Sequence, residues 1–162
     1  MAQWQRRFQH AIIRKLVVNV LPKPITVVAG VVRFEVPVWA DGKDDDTQFA
    51  FEINNLSGVQ IAEGHRGGSN DKCEIRLAGY LDIPITLKTA NRFLLSKESL
   101  KRIVFNFHKR PNGHDACTSI FTGTFILSDD TSVEFGAPDF IHTDDNGPHD
   151  WQNLLDVKWP VI

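Results

Sequence analysis

Residues 101–135 have the sequence KRIVFNFHKRPNGHDACTSIFTGTFILSDDTSVEF and carry the strongest structural signal in the chain. Apolar and polar residues alternate along this stretch, with the period of a β-strand that buries one face. Turn sequences interrupt the alternation at Pro111-Asn112-Gly113 and at residues 128–131. We therefore predict a continuous three-stranded antiparallel meander over 101–135. Its core-facing residues are predicted to be Phe105, Phe107, Phe121, Phe125 and Phe135.

The same type of pattern extends towards the N-terminus. Further short stretches are rich in β-branched or alternating residues and are separated by Gly, Pro, Asn and Asp: 25–28, 30–39, 49–53, 59–63, 73–80 and 81–87. Short strands spaced by turn signals favour an antiparallel β-sandwich or jelly-roll-like fold over a βαβ fold. The length of 162 residues is that of one domain. We predict a single mainly β domain over 1–162, with its strands in 25–135.

Residues 1–21 have the pattern of a basic amphipathic helix or arm, which Pro22 and Pro24 end. A large apolar residue recurs every four positions, at Trp4, Phe8, Ile12 and Leu16. Basic residues lie mostly on the other faces, at Arg6, Arg7, Arg14 and Lys15. An exposed stripe of four large side chains is seldom tolerated in a monomer. We therefore expect these eight residues to contact protein, either in the same chain or in a partner.

Charge is distributed unevenly along the sequence. Residues 1–34 contain six Arg or Lys and no acid, whereas residues 129–162 contain eight acids and the single base Lys158. The acidic tail, 136–162, is expected to pack on the sandwich through Trp151, Leu154, Leu155 and Trp159. A basic arm and an acidic tail suit head-to-tail assembly or arm exchange. Our leading hypothesis is a non-catalytic structural or assembly subunit that binds a protein partner or its own copies as a homo-oligomer.

A second hypothesis is a calcium-assisted module that binds a glycan or another small ligand. Trp39, Trp151 and Trp159 would supply stacking faces for such a ligand. Asp41 and Asp44 to Asp46 form an acidic loop of the kind that holds calcium, although a solvated hairpin tip has the same composition.

A third hypothesis is a metal-dependent enzyme centred on residues 142–150, which read HTDDNGPHD. The candidate ligands are His142, Asp144, Asp145, His149 and Asp150. Oxygen ligands suit calcium, and two His with one carboxylate suit a transition metal, but the spacing does not fit an EF-hand. An exposed acidic loop around the turn at Asn146-Gly147 explains the same residues. We therefore predict no cofactor and expect calcium and zinc to leave thermal melting unchanged.

Two further features of the sequence are candidate anion-binding surfaces. Residues 88–110 carry seven Lys or Arg against Glu98 alone, which suits nucleic acid or an acidic membrane surface, but the sequence pI of about 6.3 is low for a nucleic-acid-binding domain. The glycine-rich stretch 64–70 can form an anion cradle or a plain hairpin tip. Only Cys73 and Cys117 are present and no run of 18 apolar residues occurs, which predicts a soluble protein of a reducing compartment such as the cytoplasm.

Overall fold

The computed structural model describes residues 23–37, 48–67, 78–110, 117–136, 141–143 and 149–159. These residues form ten β-strands and no helix. The strands are β1 (Val27–Glu35), β2 (Gln48–Asn54), β3 (Gln60–Arg66), β4 (Tyr80–Pro84), β5 (Thr86–Leu87), β6 (Arg102–Arg110), β7 (Cys117–Leu127), β8 (Ser132–Gly136), β9 (Ile141–Thr143) and β10 (His149–Asp156). The predicted arm, 1–21, lies outside the described residues.

The described strands form two five-stranded antiparallel sheets. Sheet I has the order β4-β1-β7-β8, with β9 paired to β7, and sheet II has the order β10-β6-β2-β3-β5. The sheets contact each other through their inner faces. The ring of Phe34 in sheet I lies 5.6 Å from that of Phe49 and 5.2 Å from that of Phe107 in sheet II. The prediction of a mainly β, antiparallel protein is confirmed.

Phenylalanine dominates the core between the sheets. The five phenylalanines predicted to face the core are each at most 1% exposed, which confirms that prediction. Phe105 of β6 and Phe121 of β7 stack with their ring centroids 4.5 Å apart and their planes 12° apart. Offset or stacked rings of this kind add to the free energy that burial of their area already contributes. The alternation read from residues 101–135 therefore identified the inner face correctly.

The prediction of one continuous meander over 101–135 is wrong. The β7–β8 hairpin forms, with Ile126 opposite Ser132, but β6 belongs to sheet II while β7 belongs to sheet I. A strand with one apolar face can bury that face beside its neighbour in a sheet or opposite it across a core. The alternation of apolar and polar residues along the sequence is the same in both arrangements. The stacking of Phe105 on Phe121 shows that β6 and β7 take the second arrangement.

Two strands extend beyond the sequence prediction. β10 pairs with β6 along its whole length, from His149–Lys109 to Asp156–Arg102, whereas the sequence predicted only that the tail packs on the sandwich. β3 continues to Arg66 through residues assigned to a glycine-rich loop. Gly64 is needed inside β3 because a Cβ there would overlap the ring of Phe51. This glycine provides space for packing rather than a turn.

Candidate functional site

The pairing registers bring one end of each sheet to the same side of the molecule. In sheet I, Glu35 at the end of β1 lies opposite Tyr80 and Ile120, near the starts of β4 and β7. In sheet II, Arg110 at the end of β6 lies opposite Gln48 at the start of β2. The contact of Phe34 with Phe49 aligns these two ends. We call this side the loop end and the opposite side, where β1 begins, the N-terminal end.

Four connections join the strands at the loop end. Residues 36–47 join β1 to β2, residues 67–79 join β3 to β4, residues 111–116 join β6 to β7, and residues 137–148, which include β9, join β8 to β10. In sequence these connections hold ten of the chain's 20 acids: Asp41, Asp44, Asp45, Asp46, Asp71, Glu74, Asp115, Asp139, Asp144 and Asp145. Their Lys and Arg residues are Lys43, Lys72 and Arg76. In sequence, these four connections are therefore strongly acidic.

Two polar side chains are buried in the core at this end. Lys109 is 0% exposed and Ser119 is 2% exposed. Lys109 occupies the inner-facing position after Ile103, Phe105 and Phe107 on β6. A buried ammonium group is tolerated only with polar or charged groups around it, because its desolvation is otherwise very unfavourable. The core thus includes a buried ammonium group and a buried hydroxyl group close to the loop end.

The outer face of sheet II carries a histidine–carboxylate pair close to the loop end. Asp150 Oδ1 lies 2.7 Å from His108 Nδ1 and accepts a hydrogen bond from Arg110 Nη1, also at 2.7 Å. The bond from Arg110, then that from His108, holds the pKa of Asp150 below its usual value. An ionised carboxylate only accepts hydrogen bonds, so Nδ1 of His108 carries the proton. In neutral His108 this leaves Nε2 as the ring nitrogen able to accept a hydrogen bond or a proton.

His108 also lines a shallow hollow of about 240 Å³ on this face. Ala50 lies in the pairing register between His65 and His108, and its small side chain leaves the space. Glu63, another lining residue, accepts a hydrogen bond from Lys88 Nζ at 2.7 Å, which lowers the pKa of its carboxyl group. Acceptors and imidazoles at the rim suit a small polar ligand. Among the described residues, no three His, Cys, Asp or Glu side chains are placed to hold a metal ion.

The tryptophans proposed for ligand stacking have structural contacts where they are described. The ring of Trp151 meets those of Phe121 and Phe105 edge-on, at 5.6 and 6.3 Å. Trp159 packs against the core and donates a hydrogen bond from Nε1 to the carbonyl oxygen of Leu100 at 2.8 Å. Trp39 lies outside the described residues. The stacking role of the three indoles stays a prediction.

The predicted metal-ligand set is only partly described. The backbone of His142 pairs with Thr118 in sheet I, and that of His149 pairs with Lys109 in sheet II. Asp150 is bound to Arg110 and His108. Asp144 and Asp145, like the eight arm residues from Trp4 to Leu16 named above, lie outside the described residues. His142 therefore lies in a strand of sheet I and His149 and Asp150 in a strand of sheet II, and the metal chemistry of residues 142–150 stays a prediction.

Sequence reasoning missed Lys109 and the pair formed by His108 and Asp150. The alternation on β6 contained the signal for Lys109, because extending the inner face by two residues from Phe107 reaches it. No local signal connects His108 with Asp150. Their contact depends on the pairing of β6 with β10, and the sequence did not predict β10.

Comparisons with known proteins return no match: no family model, no curated protein and no solved structure is significantly similar to this chain. In the part of the chain that the structure describes, no helix has the length and hydrophobicity needed to cross a membrane.

Proposed function

We propose that this protein is a non-catalytic β-sandwich that acts by binding a macromolecule, and that its first partner is a further copy of itself. The observation that carries the proposal is which strand ends the charged segments of the sequence join. The four acidic connections join strands whose ends lie at the loop end, whereas the acid-free basic segment 1–22 leads into Lys23 and β1 at the N-terminal end. Opposite charges at opposite ends favour head-to-tail contact between copies.

The two-sheet scaffold supports a binding role at the loop end. Binding residues are often carried on loops that a rigid scaffold holds in place. Here the phenylalanine core fixes both sheets, and every long connection between them at this end starts and stops on a core strand. A basic arm from another copy would find at this end the highest density of acids in the chain.

The test compares the full chain with a variant that lacks residues 1–22. Mass in solution, measured by light scattering across a concentration series, is expected to show an oligomer for the full chain and a folded monomer for the truncated chain. A matched control keeps the arm and replaces Arg6, Arg7, Arg14 and Lys15 by Gln, which removes the charge and retains the apolar stripe. If the full chain and the truncated chain both run as monomers, with the truncated chain merely less stable, the self-association proposal is wrong.

A second candidate is calcium-assisted ligand binding at the same loop end. The topology favours it because the two acidic stretches, 41–46 and 144–145, belong to connections that join strands at this end. A cation at about a hundred times its Kd stabilises the folded state by about 2.7 kcal/mol, which raises the Tm of a domain of this size by several degrees. Under the leading proposal, the Tm measured with calcium equals the Tm measured with chelator. A clear rise that is lost in Asp44→Asn/Asp45→Asn would favour the second candidate.

A further inference from the structure

The hollow on the outer face of sheet II lies over the small side chain of Ala50. Phe51, the next residue of β2, is buried in the core, so Ala50 faces outward. In the pairing register, Ala50 lies between His65 of β3 and His108 of β6, so the two imidazoles border the hollow on opposite sides. Its volume of about 240 Å³ equals that of about eight water molecules in the liquid. The hollow therefore has room for a small organic molecule.

One hydrogen-bond acceptor at the hollow is held in place by the protein itself. Asp150 Oδ1 lies 2.7 Å from His108 Nδ1 and accepts its hydrogen bond. Asp150 lies on the β10 side of His108 and Ala50 on the β2 side, so this bond turns the ring edge that carries Nε2 towards the hollow. Nε2 of neutral His108 then accepts a hydrogen bond from a ligand. A preorganised acceptor lowers the entropic cost of binding.

Glu52 adds a carboxylate that has no cation beside it. Three other carboxylates on the outer face of sheet II form ion pairs: Glu63 with Lys88, Asp150 with Arg110, and Asp156 with Arg102. Glu52 is exposed and forms no ion pair with a described residue. It lies opposite Glu63, both of whose carboxylate oxygens already accept hydrogen bonds, from Lys88 and Gln60. In the described chain, Glu52 thus lacks the counter-charge that its neighbours on this face have.

We propose that the hollow over Ala50 binds a small organic cation, an alkylammonium compound that carries a second hydrogen-bond donor. The ammonium group donates to the carboxylate of Glu52, and the second donor reaches Nε2 of His108. Glu52 and His108 occupy diagonal positions on neighbouring strands, about 7–8 Å apart, so a short alkyl chain joins the two groups. Among the described residues that line the hollow, none is Lys or Arg. The site is built from strand residues alone and does not rest on the proposed function.

The experiment titrates the full chain with 1,4-diaminobutane at pH 8, where an imidazole is ordinarily uncharged. NMR signals of the histidine rings report binding, and the His108 signal is identified by its absence in His108→Gln. We expect this signal to shift and to saturate. A hydrogen bond to a charged group contributes about ten-fold or more in affinity, so butane-1,4-diol, which has the same length and no charge, should bind at least ten-fold more weakly.

Three variants locate the binding. Glu52→Gln removes the charge and should weaken binding of the diamine by about ten-fold or more. Ala50→Leu fills the hollow without changing the charge and should abolish binding. The matched control, Asp156→Asn, removes a carboxylate from the same outer face, six residues along β10 from Asp150, and should bind as the full chain does. Circular dichroism of each variant shows that it is folded.

Three results would overturn the proposal. The first is no saturable shift with the diamine; if zinc chloride then shifts the same signals, the hollow is a metal site instead. The second is equal binding of the diamine and the diol. The third is full binding of the diamine by Glu52→Gln and Ala50→Leu, or equal weakening by Asp156→Asn, either of which would assign the binding to other acids of the chain. Mass in solution, measured on the same samples, reports self-association independently.

Discussion

At the scale of single residues, the ring contacts of Phe121 determine how much this side chain contributes to the free energy of unfolding. Phe121 is 1% exposed and lies 4.5 Å from Phe105 and 5.6 Å from Trp151 between ring centroids. Phe121→Ala removes contacts with both sheets and leaves a cavity, so we expect a loss of about 3–5 kcal/mol in the free energy of unfolding. Urea denaturation of both proteins measures this loss in the free energy of unfolding. The adjacent Thr122→Ala, on the exposed face, should change stability little, and equal losses would mean that the register is wrong.

Gly123 is a second residue whose identity is determined by packing. A Cβ at this position would overlap the ring of Phe135 on the neighbouring strand. We expect Gly123→Ala to destabilise the protein by about 1–3 kcal/mol, as overpacking in a core does. The double variant Gly123→Ala/Phe135→Leu should be more stable than the sum of the two single changes predicts, because the smaller side chain relieves the overlap. Strictly additive free energies from denaturation would contradict this account.

At the scale of elements, a cross-strand ion pair joins edge strand β4 to β1. Arg33 donates from Nε and Nη2 to the two carboxylate oxygens of Asp82, each at 2.7 Å, and its guanidinium lies 4.2 Å from the ring centroid of Tyr80. These bonds lower the pKa of Asp82 in the folded state. The stabilisation is therefore present at neutral pH and is lost as pH falls through the lowered pKa. Asp82→Asn should lower the Tm at neutral pH, and its difference from the unmodified protein should shrink below about pH 4. Glu52→Gln is the control, and a difference that is constant with pH would refute the assignment.

The strands also show which structural properties the sequence predicts and which it does not. Alternation placed Phe105, Phe121 and Phe135 correctly because the face of a strand is a local property. The partner of a strand is not local, and for this reason β6 was wrongly paired with β7. The sequence did not predict β10 because Leu154 and Leu155 are adjacent, which breaks the alternation of apolar and polar residues that marks a strand. In the structure, Leu154 is 41% exposed and Leu155 is 3% exposed. Because the sequence did not predict β10, it also did not predict the histidine–carboxylate pair on sheet II.

At the scale of the whole molecule, the separation of charge has consequences for how copies would meet. The proposed contacts between the basic arm and the acidic connections would be screened beyond about 10 Å at 0.1 M salt and beyond about 3 Å at 1 M. Self-association by this route should therefore weaken steeply between these salt concentrations. Oligomers held mainly by the apolar stripe of the arm would persist or strengthen, because salt does not weaken apolar burial.

A charge exchange tests the head-to-tail arrangement itself. Arg6→Glu/Arg7→Glu gives a copy with fewer positive charges in its arm and an unchanged acidic loop end, and Asp44→Lys/Asp45→Lys/Asp46→Lys gives a copy with a basic arm and a less acidic loop end. Each copy alone should associate more weakly than the unmodified chain, because its arm and loop end are no longer complementary. Mixed in equal amounts, the two should associate, since the basic arm of the second copy then meets the acidic loop end of the first. Mass in solution reports all three samples. Weaker association of the second copy alone, together with recovery in the mixture, requires contact between the two ends of different copies, because a contact between arms alone would leave the association of the second copy unchanged.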